Sequence, residues 1–132
     1  VARKVSTTSW YRHKLYDAIS DLHEMGVGQS IHFTQRLPGL SWRESEVAHE
    51  AQMAGVLRLG PGMRCLDVGC GLGGPMRTIA CCSGAHVTGI TISQHQVGRT
   101  IALNKALSIP PQVADVVHGC VFVAFSRPCP TA

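Results

Sequence analysis

The chain has 132 residues, 45% hydrophobic and 15% charged, with 12 basic and 8 acidic side chains for a net charge of +4. That suits one small globular domain with a real core. Several classes are excluded: no apolar run reaches the roughly 18 residues of a membrane-spanning helix, the basic residues are too scattered for nucleic acid to be a partner, and the polar, basic start from Val1 to Lys14 is no signal peptide. A chain that begins at Val1 rather than at methionine reads as a fragment or a processed product.

In chain order, residues 1–8 are polar and read as a frayed end. Ser9 is placed to cap a helix over Trp10–Met25, with Gly26 ending it and Trp10, Leu15, Ile19 and Leu22 at near-helical spacing. A loop follows, GVGQSIHFTQRLPG. Ser41-Trp42-Arg43-Glu44 has the S-x-x-E capping-box pattern and opens a second helix running to about Leu59, where Gly60-Pro61-Gly62 stops it. Met63–Val68 reads as a strand, followed by the glycine turn of LDVGCGLGGP. Pro75 suits the first turn of a short helix over Met76–Cys82. His86–Ile92 reads as a second strand, Ser93 caps a third helix through about Leu107, Pro110-Pro111 breaks it, and Val113–Val117 is a third strand. The order β-α-β-α-β predicts an α/β fold, the opening half of a doubly wound, Rossmann-like parallel sheet.

The six cysteines, Cys65, Cys70, Cys81, Cys82, Cys120 and Cys129, form no C-x-x-C pair, and the seven histidines are dispersed, so no metal site is expected. Reduced thiols in an intracellular protein are the simplest reading.

The glycine turn carries the chemistry. It stands at the carboxyl end of the first strand and at a helix N-terminus, where open α/β sheets hold nucleotide-like ligands. Glycine accepts positive φ and lets a ligand touch the backbone. Gly69, Gly71 and Gly73 give G-x-G-x-G, while Gly69, Gly71 and Gly74 also satisfy the dinucleotide spacing G-x-G-x-x-G, so spacing alone does not exclude NAD. Asp67, two positions before the first glycine, can orient the turn or reach the amino group of an amino-acid ligand. Where a dinucleotide site places an acid after the second strand, this chain has Thr91, which can hydrogen-bond a ribose hydroxyl, and Gln96 can add an amide contact. The competing readings are a bare strand-to-helix turn, a cap alone for Ser93 and a solvated helix face for Gln96.

The run LDVGCGLGG resembles motif I of the S-adenosylmethionine-dependent methyltransferases. HEMGVGQSIHF, at residues 23–33, resembles the Y-E-x-G-W-G-x-S-x-H-F signature of the sterol C24-methyltransferases; WRESEVAHE, LRLGPGMRCLDVGCGLGGPMRTIA and AHVTGITISQHQVGRTIALNKALSI are similar to further segments of that family. The resemblance covers roughly residues 16–119. It implies S-adenosyl-L-methionine as cofactor, held by Asp67, Gly69, Cys70, Gly71, Gly73, Thr91 and Gln96. It implies methyl transfer to the side-chain C24 double bond of a sterol, with the alkene as nucleophile and Glu24 and His32 as catalytic candidates. Another isoprenoid alkene, a triterpene or a prenylated ring, is the alternative substrate, and a non-catalytic fragment the alternative product.

A sterol substrate implies peripheral contact with a membrane, the endoplasmic reticulum in this family. The aromatic positions of the signature are here His23, Met25 and Val27, so three rings that would face a cation are replaced, and Phe33 is expected to pack. Residues 1–45 read as an amino-terminal helical segment carrying the signature, 46–119 as the first half of the methyltransferase domain with about three of its strands, and 120–132 as an off-pattern tail.

Overall fold

The computed structural model describes residues 7–26, 28–30 and 32–119, apart from the side chains of residues 7–13, 16 and 23. The packing expected of Trp10, the side chain of His23, residue Val27 and the tail from 120 to 132 lie outside that description. The elements run α1 (Thr7–Gly26), α2 (Trp42–Val56), β1 (Arg64–Val68), α3 (Gly74–Ser83), β2 (His86–Thr91), α4 (Gln94–Ala106) and β3 (Ala114–His118).

Helix α1 begins at Thr7, so Ser9 lies inside it and not at its cap. Ser6, Thr7, Thr8 and Ser9 are all hydroxyl residues, and such a run does not single out one capping position. The Ser41 cap forms as the pattern predicts: its hydroxyl accepts from the Glu44 amide at 3.3 Å, and Glu44 Oε2 accepts from the Ser41 amide at 2.7 Å. Pro75 sits in the first turn of α3, and the Ser93 hydroxyl accepts from the Gln96 amide at 3.1 Å to open α4.

The three strands form one parallel sheet in the order β1-β2-β3. Register aligns Cys65 with Val87 and Val87 with Ala114 across the sheet. This row packs against Ala54 of α2 and Met76, Ile79 and Ala80 of α3, with Leu59, Ile109 and Val113 closing the cluster's edges. Helices α3 and α4 are tied side by side by Arg77 Nη1, which donates to Asn104 Oδ1 at 3.2 Å; Asn104 Nδ2 in turn donates to the Ala114 carbonyl at 3.0 Å. Leu66 and Val68, which alternate with the core-facing residues of β1, are exposed.

The first two helices depart from ordinary amphipathic packing. In α2 the buried residues are Ser45, Glu46, Glu50 and Ala54, whereas Val47, Met53 and Val56 are exposed. In α1 Ser20 is buried, whereas Leu15, Ile19, Leu22 and Met25 are exposed. Polar side chains thus make up most of the buried face of α2, beside the core residue Ala54, and the buried residue of α1.

The capping box makes the start of α2 the best-defined boundary of the amino-terminal segment. Replacing Ser41 by alanine removes the hydroxyl that accepts from the Glu44 amide and donates to Glu44 Oε2, while the backbone amide of residue 41 can still donate to Glu44, and the expected loss is about 1 kcal/mol of unfolding free energy. The shift of the urea midpoint in the full-length protein measures it.

Candidate functional site

The glycine turn folds back over the end of β2: the amides of Gly69 and Cys70 both donate to the Ile90 carbonyl, at 2.8 and 3.2 Å. Gly69 (φ 82°), Gly71 (φ 55°) and Gly73 (φ 73°) all take the left-handed conformation, which strains any residue with a Cβ. Between them Cys70 and Leu72 point inward and are buried. Burial, with Asp67 close by, pushes the Cys70 thiol up to about 12, so Cys70 anchors the turn as a protonated thiol and is no nucleophile.

Asp67 shares the core-facing side of β1 and is half-buried. Its Oδ2 has no hydrogen-bond partner among the described residues, and burial together with the Glu50 carboxylate raises its pKa, against a smaller opposing pull from His32. A buried, unpaired carboxylate oxygen beside a backbone cradle fits a ligand carrying an ammonium group.

Thr91 and Gln96 stand together at the end of β2. The Thr91 hydroxyl donates to Gln96 Oε1 at 2.6 Å, and Gln96 Nε2 donates to the Ser20 hydroxyl of α1 at 2.7 Å. Gln96 is buried and not a solvated face. Ser93 is more than a cap, since its hydroxyl donates to Asp17 Oδ1 at 2.7 Å.

The loop after α1 lands on this turn. The Gly74 amide donates to the Gln29 carbonyl at 3.3 Å, and a Cβ on Gly74 would lie 2.5 Å from that oxygen and from the Ser30 hydroxyl. Gly74, the third glycine of the dinucleotide-like spacing, is therefore required by the loop packed upon it. The Gln29 side chain accepts from Arg77 Nη2 at 2.7 Å and donates to Glu24 Oε1 at 3.3 Å. Glu24 is held by Arg99 through two bonds of 2.8 and 2.9 Å, which keep its carboxyl below the usual range. Arg77 is buried with amide partners only, and desolvation, aided by the nearby Arg43 charge, lowers its pKa.

His32 is joined to Glu50 of α2, its Nε2 lying 3.0 Å from Glu50 Oε1, while its Nδ1 is 2.7 Å from the Thr34 hydroxyl. Both ring nitrogens are committed. Ser30 donates to the same Glu50 oxygen at 2.6 Å. Burial opposes the Glu50 charge, but hydrogen bonds from Ser30, Thr78 and His32 and the Arg43 guanidinium outweigh it, so its carboxyl titrates below the ordinary value. Phe33, expected to pack, is fully exposed.

Of the nine residues expected from the sequence, Asp67, Gly69, Cys70, Gly71 and Gly73 lie in the end of β1 and its turn, and Thr91 and Gln96 at the neighbouring end of β2; Glu24 bonds Gln29, whose carbonyl meets Gly74, and His32 bonds Glu50 of α2. Glu50, Ser30, Gln29 and Arg77 were not singled out by pattern. Glu50 closes the quoted WRESEVAHE segment, but only tertiary contacts distinguish it from the exposed Glu44.

A carboxylate with a depressed folded-state pKa contributes stability that is present above its unfolded pKa and is lost as pH falls through the folded value. Glu50→Gln is therefore expected to be less stable than wild type at neutral pH, with the gap closing as pH drops below the ordinary carboxylate range. Urea midpoints of both proteins across that range decide it; a gap independent of pH would remove the charge of Glu50 from the account.

Comparison with known proteins agrees with this geometry. Residues 9–113 match the mycolic acid cyclopropane synthetase family. Squalene methyltransferase 1 of Botryococcus braunii is 57% identical over 102 residues, which cover 77% of this chain and 27% of that protein. The 24-methylenesterol C-methyltransferase 2 of Oryza sativa subsp. japonica is 45% identical over 111 residues, 84% of this chain and 31% of that protein. The chain therefore spans under a third of the length of these relatives. Among solved structures, a methyltransferase from Thiobacillus denitrificans in complex with S-adenosyl-L-homocysteine superposes with a TM-score of 0.55 at 28% identity, over 76% of this chain and 36% of that one. Its three-stranded parallel sheet, with α3 and α4 as crossovers, is the opening of the Rossmann-like methyltransferase fold, and with most of its length matched to the family pattern the chain belongs to the mycolic acid cyclopropane synthetase family.

Proposed function

We propose that the full-length protein is an S-adenosylmethionine-dependent C-methyltransferase acting on the side-chain C24 double bond of a sterol or on the matching alkene of another triterpenoid. The observation that carries this reading is the seating of the substrate-signature loop on the first turn of α3, through Gln29 and Gly74, directly behind the glycine turn. Residues 1–45 then supply the substrate side and 46–119 the cofactor side.

The turn fits the cofactor. Gly69, Gly71 and Gly73 leave the backbone bare and Asp67 offers an unpaired buried oxygen to an ammonium, while Thr91 and Gln96, bonded to each other and to Ser20, reach a ribose only by exchanging those partners. S-Adenosylmethionine, when bound, supplies an electrophilic methyl group. The substrate alkene is itself the nucleophile, so no deprotonated side chain is needed for attack. Positive charge then develops on the substrate and is met best by fixed negative charge or aromatic faces.

Glu24 remains ionised. Both its oxygens are held by Arg99, so it meets a substrate cation only after exchanging that partner. His32, with both nitrogens engaged, acts by holding the loop and Glu50 in place. A proton must leave the methylated cation, and its acceptor is sought among groups that reach the substrate.

A second reading, an acyclic triterpene as substrate, is favoured by the higher identity to the squalene enzyme than to the sterol enzyme, 57% against 45%. The replacement of three signature rings by His23, Met25 and Val27 points the same way. Either substrate dissolves in bilayers, which supports a peripheral place on an intracellular membrane such as the endoplasmic reticulum; no helix of the described residues is long and apolar enough to cross one.

Gly71→Val places a branched side chain at a left-handed position inside the cradle, and the affinity for S-adenosylmethionine should fall by about a hundredfold or more. Calorimetric titration of the full-length protein measures it, and unchanged affinity would discard this turn as the cofactor site. Incubation with labelled S-adenosylmethionine and, separately, a C24-unsaturated sterol and squalene separates the two substrate readings. Label in the sterol alone supports the first, label in squalene alone supports the second, and label in neither rejects both.

A further inference from the structure

Glu24 is held from two directions. Arg99 of α4 donates to both of its oxygens, from Nη2 to Oε1 at 2.9 Å and from Nε to Oε2 at 2.8 Å. Gln29 donates from Nε2 to Oε1 alone, at 3.3 Å. The two partners differ in how firmly they are themselves fixed. The hydrogen bonds of the Arg99 side chain, among the described residues, all go to Glu24. The backbone of Gln29 is set against Gly74, and its side-chain oxygen accepts from Arg77 Nη2 at 2.7 Å. Arg77 is buried and donates from Nη1 to Asn104 Oδ1 at 3.2 Å, and Asn104 donates to the Ala114 carbonyl of β3 at 3.0 Å. A chain of bonds thus runs from the sheet through Asn104, Arg77 and Gln29 to Glu24.

Chemistry gives this chain one direction. A guanidinium only donates and an ionised carboxylate only accepts, so an amide between them has one orientation, oxygen toward Arg77 and nitrogen toward Glu24. Arg77 also stands against the glycine turn, since a Cβ on Gly73 would lie 3.0 Å from its Nη1. Through Arg77 and Gln29 the Glu24 carboxylate is therefore placed relative to that turn. We propose that Gln29 is the positioning residue of Glu24: it keeps Oε1 tethered when Arg99 gives way to a substrate cation, and so leaves Oε2 as the oxygen that meets the cation. The inference rests on the C-methyltransferase activity proposed above and adds the group that aims its acidic residue. A glutamate in place of Gln29 would still accept from Arg77, but it could not donate to Glu24 and would set two carboxylates against each other.

Two mutant cycles in the full-length protein test it. The first reads stability and needs no turnover. Gln29→Glu should lower the urea midpoint, and Glu24→Gln/Gln29→Glu should restore it, because the amide at position 24 then donates to the carboxylate at position 29. A Gln29→Glu protein as stable as wild type, or a double variant no more stable than Gln29→Glu, overturns the proposal. The second cycle reads catalysis. Gln29→Met, similar in length but without an amide, should lower kcat by about tenfold with the calorimetric affinity for S-adenosylmethionine unchanged. In a Glu24→Gln background the same change should cost no more than about twofold, since no carboxylate is left to aim. Losses that multiply would make Gln29 merely structural and overturn the proposal, as would an unchanged kcat in Gln29→Met. If Glu24→Gln has no turnover, the kcat of Gln29→Met and the restored midpoint of the first cycle decide in its place. Arg99→Met should keep more of kcat than Gln29→Met does; the reverse order would make Arg99 the lasting tether and overturn the proposal. A protein that passes the first cycle yet methylates neither a sterol nor squalene keeps the Gln29–Glu24 bond and removes the proposed activity, whereas methylation with a failed first cycle removes the positioning role alone.

Discussion

At Gly74 two backbones touch. The first turn of α3 and the carbonyl of Gln29 approach so closely that a single methyl group would occupy the space between them. The rest of the amino-terminal segment is arranged around that contact. Because Gln29 is fixed there, its side chain can bridge buried Arg77 to Glu24, and Ser30 can reach Glu50 in the interior. Without that approach the segment before α2 would meet the sheet domain mainly through the α1–α4 side-chain bonds, and the two halves of the candidate site would have no fixed relation.

The energetics of this assembly are those of buried polar groups. Glu46 and Glu50 are almost wholly removed from water: Trp42 and Arg43 donate to the first, and Ser30 and His32 both meet Oε1 of the second, whose Oε2 has no partner among the described residues. Such networks contribute little net stability compared with an apolar core, but they penalise misplacement heavily, because a slipped partner leaves a desolvated charge. They therefore serve position more than strength. The apolar core lies elsewhere, between α2, α3 and the sheet, in Val87, Met76, Ile79 and Ala80. Position here comes from hydrogen bonds and rigidity from packing, a division suited to a site where a charged cofactor and an apolar substrate must meet at one strand end.

The same division accounts for apolar side chains on the exposed surface of the first two helices, Leu15, Ile19 and Leu22 on α1 and Val47, Met53 and Val56 on α2. Asp17, Ser20, Asp21 and Glu24 bond to α4, and Leu15, Ile19 and Leu22 lie on the other side of α1.

Much of the fold was legible in the chain itself. The strand–glycine–helix run of LDVGCGLGGP, the capping box at Ser41, Pro75 in a first turn and Ser93 before α4 are local signals, each set by a few neighbouring residues, and the structure places them where the pattern does. The resemblance to the methyltransferases was legible for the same reason, since a backbone cradle demands glycines at set spacing. Ser9 was misplaced as a cap because four hydroxyl residues in a row, Ser6 to Ser9, carry the same local preference.

The roles of Glu50, Gln29 and Arg77, and the pairing of α1's acids with α4, belong to the tertiary structure alone. A glutamate has the same helical preference whether it faces water or an interior serine and histidine, and an amphipathic stripe has the same period whichever side is buried. Local propensity sets where a helix begins and ends. Which of its faces meets the domain is decided by partners far away in the chain, here Ser93, Gln96 and Arg99 for α1 and Ser30 and His32 for α2.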